Sequence, residues 1–204
     1  MDAIGAEAMV SESIFKMIID NYTHPSRHYH NLDHLRALFF LLESHRPQPP
    51  GTISRLAVWW HDVIYDPLSG DNETNSANLA KIHLSEIGAS PGVIDQVCAL
   101  IMATKSHFTS ASFGEDDAFL DADIAILGAP EAIYRRYALN LRAEYSMLPT
   151  QLFYQGRLAF LNKALSLARL FKTDVFEDTY AGPARLNMKN EVTELTTVKN
   201  SPKA

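Results

Sequence analysis

Residues 53–65 constrain this chain more than any other stretch: apart from Ser54, Arg55 and the adjacent pair His61-Asp62, every residue there is apolar. A helix of that composition is hydrophobic around most of its circumference and is therefore buried, which carries two ionisable side chains into a core. Desolvating a carboxylate costs several kcal/mol unless it is paired. The pairings that hold an imidazole and a carboxylate side by side are a hydrogen bond or a shared cation. Partner groups are therefore expected elsewhere in the chain. Upstream it offers His34, in Tyr29-His30-Asn31-Leu32-Asp33-His34, and downstream Asp121 and Asp123, in the apolar run 119–127.

The remaining apolar residues recur at helical rather than alternating spacing, so the expected class is all-α. A first helix is expected over 10–22, broken by Pro25, and a second from about Asn31 with His34, Leu35, Leu38, Phe39 and Leu42 facing inward. Pro47, Pro49, Pro50 and Gly51 end it. Thr52 then caps the helix that carries His61-Asp62, which stops at Asp66-Pro67. Further helices are expected over 74–87, closed by Gly88, and over 91–105, opened by Pro91. A Ser- and Thr-rich loop over 106–117 leads to a helix bearing Asp121 and Asp123. Helices over 131–145 and 149–171, a turn over 173–180 and a final helix over 184–195 complete the expectation.

A chain of 204 residues with 47% hydrophobic content can build one sizeable core without disulfides. Its single cysteine, Cys98, lies in an apolar run and reads as a small buried core residue. No stretch approaches the run of about 18 apolar residues that spans a membrane, and the N-terminus lacks the pattern of a signal peptide, so a cytoplasmic location is expected. The net charge of -6 argues against a broad nucleic-acid-binding surface. It leaves room for a small phosphorylated substrate, which a metal ion and a few local cations can neutralise.

Four ordered elements, Tyr29 to His34, Trp60-His61-Asp62-Val63-Ile64-Tyr65-Asp66, Asp71-Asn72-Glu73 and Leu120-Asp121-Ala122-Asp123-Ile124, together resemble the HD superfamily of metal-dependent phosphohydrolases. Within it they look most like a bacterial branch of predicted HD-domain phosphohydrolases, and the likeness runs from about Tyr22 to Leu195. The resemblance implies a single-domain HD-type helical bundle over 9–196, with 1–8 and 197–204 as flexible ends. It also implies that His34, His61, Asp62 and Asp123 hold one divalent ion, with Mn, Fe, Ni, Co, Zn and Mg all compatible with two nitrogens and two carboxylate oxygens. Four protein ligands on a six-coordinate ion leave two positions open for a water and a substrate oxygen.

Asp121 and Asp123 are two residues apart, so on a helix their side chains diverge by about 200° and cannot easily share one ion. Asp123, which follows Ala122 and precedes an apolar run as the family's closing Asp does, is taken as the ligand, and Asp121 as a capping or supporting residue. His30 stands four residues before His34, a spacing that can place two ligands on one helical turn, but Asn31 is expected to start the helix and leave His30 outside it. The resemblance places an acidic residue three or four positions after His-Asp as general acid or base. Here those positions hold Tyr65 and Asp66, so Asp66, Glu73 and His107 share the proton-transfer candidacy. Arg27, Lys105, Arg142 and Arg157 are the candidates for holding phosphate.

The function these features point to is hydrolysis of a small phosphate ester, a nucleotide or nucleotide-like molecule. The alternative is a non-catalytic nucleotide-binding sensor on the same scaffold, and a two-iron oxygenase is a third reading that a single ligand set disfavours. Metal analysis and turnover of phosphate esters separate the three.

Overall fold

A computed structural model describes residues 3–45, 50–108 and 111–200, with side chains from 9 to 197, and these residues form nine α-helices and two short 3-10 turns without a strand. The all-α expectation is met. The chain parts into two compact units, Met1–Leu120 and Asp121–Ala204. The division falls inside a helix, where no shift of composition or run of Gly and Pro marks it.

The first unit contains α1 (Ala3–Tyr22), α2 (Leu32–Ser44), α3 (Thr52–Trp60), α4 (Asn72–Glu86), α5 (Pro91–Thr104) and the start of α6 (Asp117–Ile124). The first helix begins earlier than its apolar spacing suggests. Asn31 does start α2, because its side-chain oxygen accepts from the backbone N–H groups of Asp33 and His34 at 2.9 and 3.4 Å. Pro47 and Pro49, expected to end that helix, and 201–204 of the expected tail lie outside the described residues. Gly88 closes α4 with φ +77°, a conformation that favours glycine, and lets Ala89 N donate back to the Leu84 carbonyl at 2.9 Å. Leu35, Leu38 and Leu42 of α2, Ala57 and Val58 of α3, Ala80 and Leu84 of α4, and Val97, Leu100 and Ile101 of α5 form the core. Trp60 is buried and Trp59 packs between Phe15 and Phe39, as expected of packing residues. Cys98 is half-buried rather than buried and donates to the Ala77 carbonyl at 3.3 Å.

One expectation in this unit is corrected. The helix carrying the apolar segment ends at Trp60, so His61 and Asp62 lie just beyond it rather than within it. Side chains from elsewhere in the unit capture the backbone groups that would have continued the helix. Tyr22 accepts from Asp62 N, Arg27 donates to the carbonyls of Asp62 and Val63, and the Ser76 hydroxyl bonds both the N–H and the carbonyl of Ile64. Apolar residues continue to Tyr65 because the turn is packed, with Val63 fully buried and Ile64 and Tyr65 half-buried, not because it is helical.

The second unit holds the rest of α6, α7 (Glu131–Glu144), α8 (Thr150–Ser166) and α9 (Asp174–Asn200). Two boundaries differ from the sequence expectation. α8 ends at Ser166, where Arg185 takes up the carbonyls of Leu165, Leu167 and Ala168 and the Glu177 carboxylate accepts from Leu170 N and Phe171 N. The expected turn over 173–180 is instead the beginning of α9, which runs unbroken through Pro183. Proline inside a helix costs about 3 kcal/mol, and the burial of Phe176, Ala181, Ala184 and Met188 along one face of α9 offsets it. Gly128 makes that packing possible, since a Cβ there would meet the Tyr180 carbonyl at 2.6 Å. Among the described residues no helix is long and apolar enough to cross a membrane.

Candidate metal centre

The turn after α3 builds the centre. The ring Nδ1 of His61 lies 3.0 Å from the Val58 carbonyl, one helical turn back. A carbonyl only accepts, so Nδ1 carries the proton and Nε2 is left with its lone pair, the form in which imidazole binds a cation. Asp62 follows with its N–H on the Tyr22 hydroxyl at 3.2 Å and its carbonyl on Arg27 at 2.6 Å. Backbone bonds on both sides therefore fix where its carboxylate goes.

His34, one turn into α2, reaches the same place. Its Nε2 is 3.2 Å from Nε2 of His61, Asp62 Oδ2 is 3.1 Å from the latter, and His34 Nε2 and Asp62 Oδ2 are 4.0 Å apart. Ligand atoms about 2.1 Å from one ion stand about 3 Å apart at neighbouring positions and about 4 Å apart at opposite ones. The three spacings fit that pattern, and a single N–H between two imidazoles would account for only one of them. The donor set therefore suits a divalent cation. The side chains of His34 and His61 are 4% and 0% exposed, whereas Asp62 and His30 keep 16% and 17%, so the centre opens on the Asp62 and His30 side.

His30 stands at that opening, its Nε2 3.8 Å from Asp62 Oδ2 and its ring against Tyr65 with centroids 4.3 Å apart. It lies outside α2, as the Asn31 cap requires. Phe119, in the first turn of α6, lies edge-on to His61 at 5.5 Å.

The other residues singled out in the sequence are engaged differently. Arg27 is buried, between the rings of Tyr22 and Tyr65 at 4.9 and 5.5 Å, and donates to the carbonyls of His30, Asp62 and Val63 at 3.1, 2.6 and 2.9 Å. Asp66 is exposed and accepts from Leu68 N at 2.9 Å. Lys105 donates to the Gly70 carbonyl at 2.6 Å and lies 4.0 Å from Glu73 in the first turn of α4. His107 is half-buried just after α5. In the second unit Arg142 donates to the carbonyls of Tyr145 and Leu148, and Arg157 is buried in a two-bond ion pair with Glu191. Asp123 is half-buried on α6. Asp121 is buried and accepts from Lys172 N, Thr173 N and the Thr173 hydroxyl at 2.6, 2.7 and 2.7 Å, which ties it to the start of α9.

Sequence reasoning missed Tyr22 and Ser76, which hold the turn through tertiary hydrogen bonds, and no local pattern announces such a role. Tyr65, which stands where the resemblance expects an acid, packs its ring against His30. No family model matches the chain, and comparison with curated proteins and with solved structures likewise finds no match.

Proposed function

We propose that the chain is a metal-dependent phosphohydrolase of the HD type, acting on a small phosphate ester that is a nucleotide or nucleotide-like molecule. One divalent ion would be held by His34, His61, Asp62 and Asp123. The observation that carries the reading is the meeting of three ligand atoms at 3.1 to 4.0 Å with the His61 tautomer set for coordination. When bound, such an ion supplies Lewis-acid polarisation of a phosphoryl oxygen and an acidified water.

The chain's own residues do the rest. His34 and His61 are neutral ligands that exclude solvent from one side, while the carboxylates of Asp62 and Asp123 offset the charge of a dication. Arg27 holds the backbone on which Asp62 and His30 are mounted. Of the acids considered, Glu73 suits proton transfer better than Asp66, whose carboxylate already braces its own loop. Lys105, 4.0 Å from Glu73, would be the cation that holds a phosphate oxygen.

The test is a screen of purified protein against a nucleotide panel with Mn, Co, Ni, Mg and Zn, alongside Asp62→Asn. The reading expects metal-dependent release of phosphate or a phosphorylated fragment by wild type and its loss in the variant. Absence of turnover for every ester by metal-loaded wild type would point to a regulatory nucleotide pocket.

A further inference from the structure

Within the second unit, α7, α8 and α9 line a half-open cavity of about 340 Å3, within the size range in which proteins hold small molecules. Its lining combines the aromatic rings of Tyr134, Phe153 and Tyr154 with the polar side chains of Asn187, Asn190 and Glu191. Asn187 is the informative member. It is 7% exposed, and its amide nitrogen donates to the carbonyls of Leu127 and Ala129 at 2.9 and 2.8 Å. Both partners can only accept, so the amide orientation is fixed and Oδ1 is the atom with acceptor capacity left. Among the described residues no donor meets it. A buried acceptor in that condition is unfavourable until something donates to it.

The charges around the cavity are already matched. Arg157 is paired with Glu191, and Arg135 lies 3.3 Å from Glu131 and 2.6 Å from Glu194. Arg142 is bound to backbone carbonyls and lies over the Phe153 ring at 5.0 Å. An anionic ligand would therefore have to break an existing pair, whereas an uncharged ring with an N–H to give would break none.

We propose that this cavity is a binding site for an uncharged planar heterocycle of the nucleobase class, which packs against Phe153 and Tyr154 and donates an amino or ring N–H to Asn187 Oδ1. The site is separate in its residues from the histidine cluster, and the proposal stands whether or not that cluster hydrolyses phosphate esters.

Isothermal titration of the full chain with adenosine, and with purine riboside, which lacks the amino group, tests it. Adenosine should bind at millimolar or lower concentration, with purine riboside weaker by about tenfold or more, because the amino donor is missing. Ala138→Phe, which fills the cavity from its lining, should abolish adenosine binding. Should that variant fail to fold, Tyr154→Ala should weaken binding several-fold. His61→Ala should leave it unchanged. Three results would each overturn the proposal: no binding of adenosine at millimolar concentration, equal binding of the two nucleosides, or binding that survives the cavity variants and disappears in His61→Ala.

Discussion

The Arg27 guanidinium donates to the main-chain carbonyl of Asp62 at 2.6 Å, and to those of His30 and Val63 at 3.1 and 2.9 Å. An arginine that looks in sequence like a phosphate ligand is thus bonded to the turn that presents the candidate ligands. Lysine has the charge but not the fork, so it cannot reach three carbonyls in fixed geometry. Arg27→Lys is expected to weaken Mn binding by about ten- to a hundredfold, the usual cost of losing support behind a ligand, while the protein stays folded. Mn titration followed by electron paramagnetic resonance measures this. Unchanged metal affinity with impaired substrate binding would assign Arg27 to the phosphate instead.

The two aspartates of α6 should separate cleanly. Asp121 accepts three hydrogen bonds at the start of α9. Asn there turns an N–H toward backbone donors, so Asp121→Asn should lower unfolding stability by about 2–3 kcal/mol and leave metal content intact. Asp123→Asn should do the reverse. Urea denaturation and elemental analysis of both variants decide the matter, and the opposite assignment follows if Asp121→Asn is the one that loses metal.

In the second unit Arg157 and Glu191 form a buried pair with two contacts of 2.9 Å. Burial works against the Arg157 charge, but Tyr137, Glu191 and Tyr134 more than compensate and hold its pKa above the usual value. Arg157→Met leaves Glu191 uncompensated and should cost about 3–5 kcal/mol. Adding Glu191→Leu should recover a large part of that loss. Additive costs in a double-mutant cycle by chemical denaturation would show that the two side chains are not coupled.

Tyr134 donates to Glu191, and burial, followed by the smaller effect of the nearby carboxylate, pushes its pKa up despite the opposing pull of Arg157. A raised folded-state pKa contributes stability that is complete below the unfolded value, near 10 for tyrosine, and that declines as pH rises through the folded value. Wild type should therefore lose stability above pH ~10 more steeply than Tyr134→Phe, by about 1.4 kcal/mol per pH unit for the one proton involved. Parallel alkaline denaturation curves for the two proteins would contradict this.

What could be read from the sequence was set by local chemistry. Asn31, Gly88 and Pro91 each act within a few residues of themselves, and each marks a helix end in the expected place. Residues 61–65 were misjudged because burial alone makes a turn as apolar as a helix. The agents that end α3, Tyr22, Arg27 and Ser76, are 40, 35 and 12 residues from their partners. The same holds for the join that was expected to be a turn before α9. α9 instead runs through Pro183, and the burial that outweighs the cost of that proline depends on contacts no local pattern contains. His34, His61 and Asp62 were legible as a set because ionisable groups in apolar surroundings need partners, but the role of Arg27 was not, since three backbone carbonyls leave no trace in a sequence.

The claim on which the functional reading rests is that the histidine and aspartate cluster holds one divalent ion. Elemental analysis after loading with Mn and desalting tests it most directly, in wild type and in Asp62→Asn, which removes a charge and little volume. One equivalent of Mn in wild type, and little or none in a variant whose metal-free melting temperature is nearly unchanged, is the predicted result. Wild type that retains no metal, or Asp62→Asn that retains a full equivalent, would contradict it.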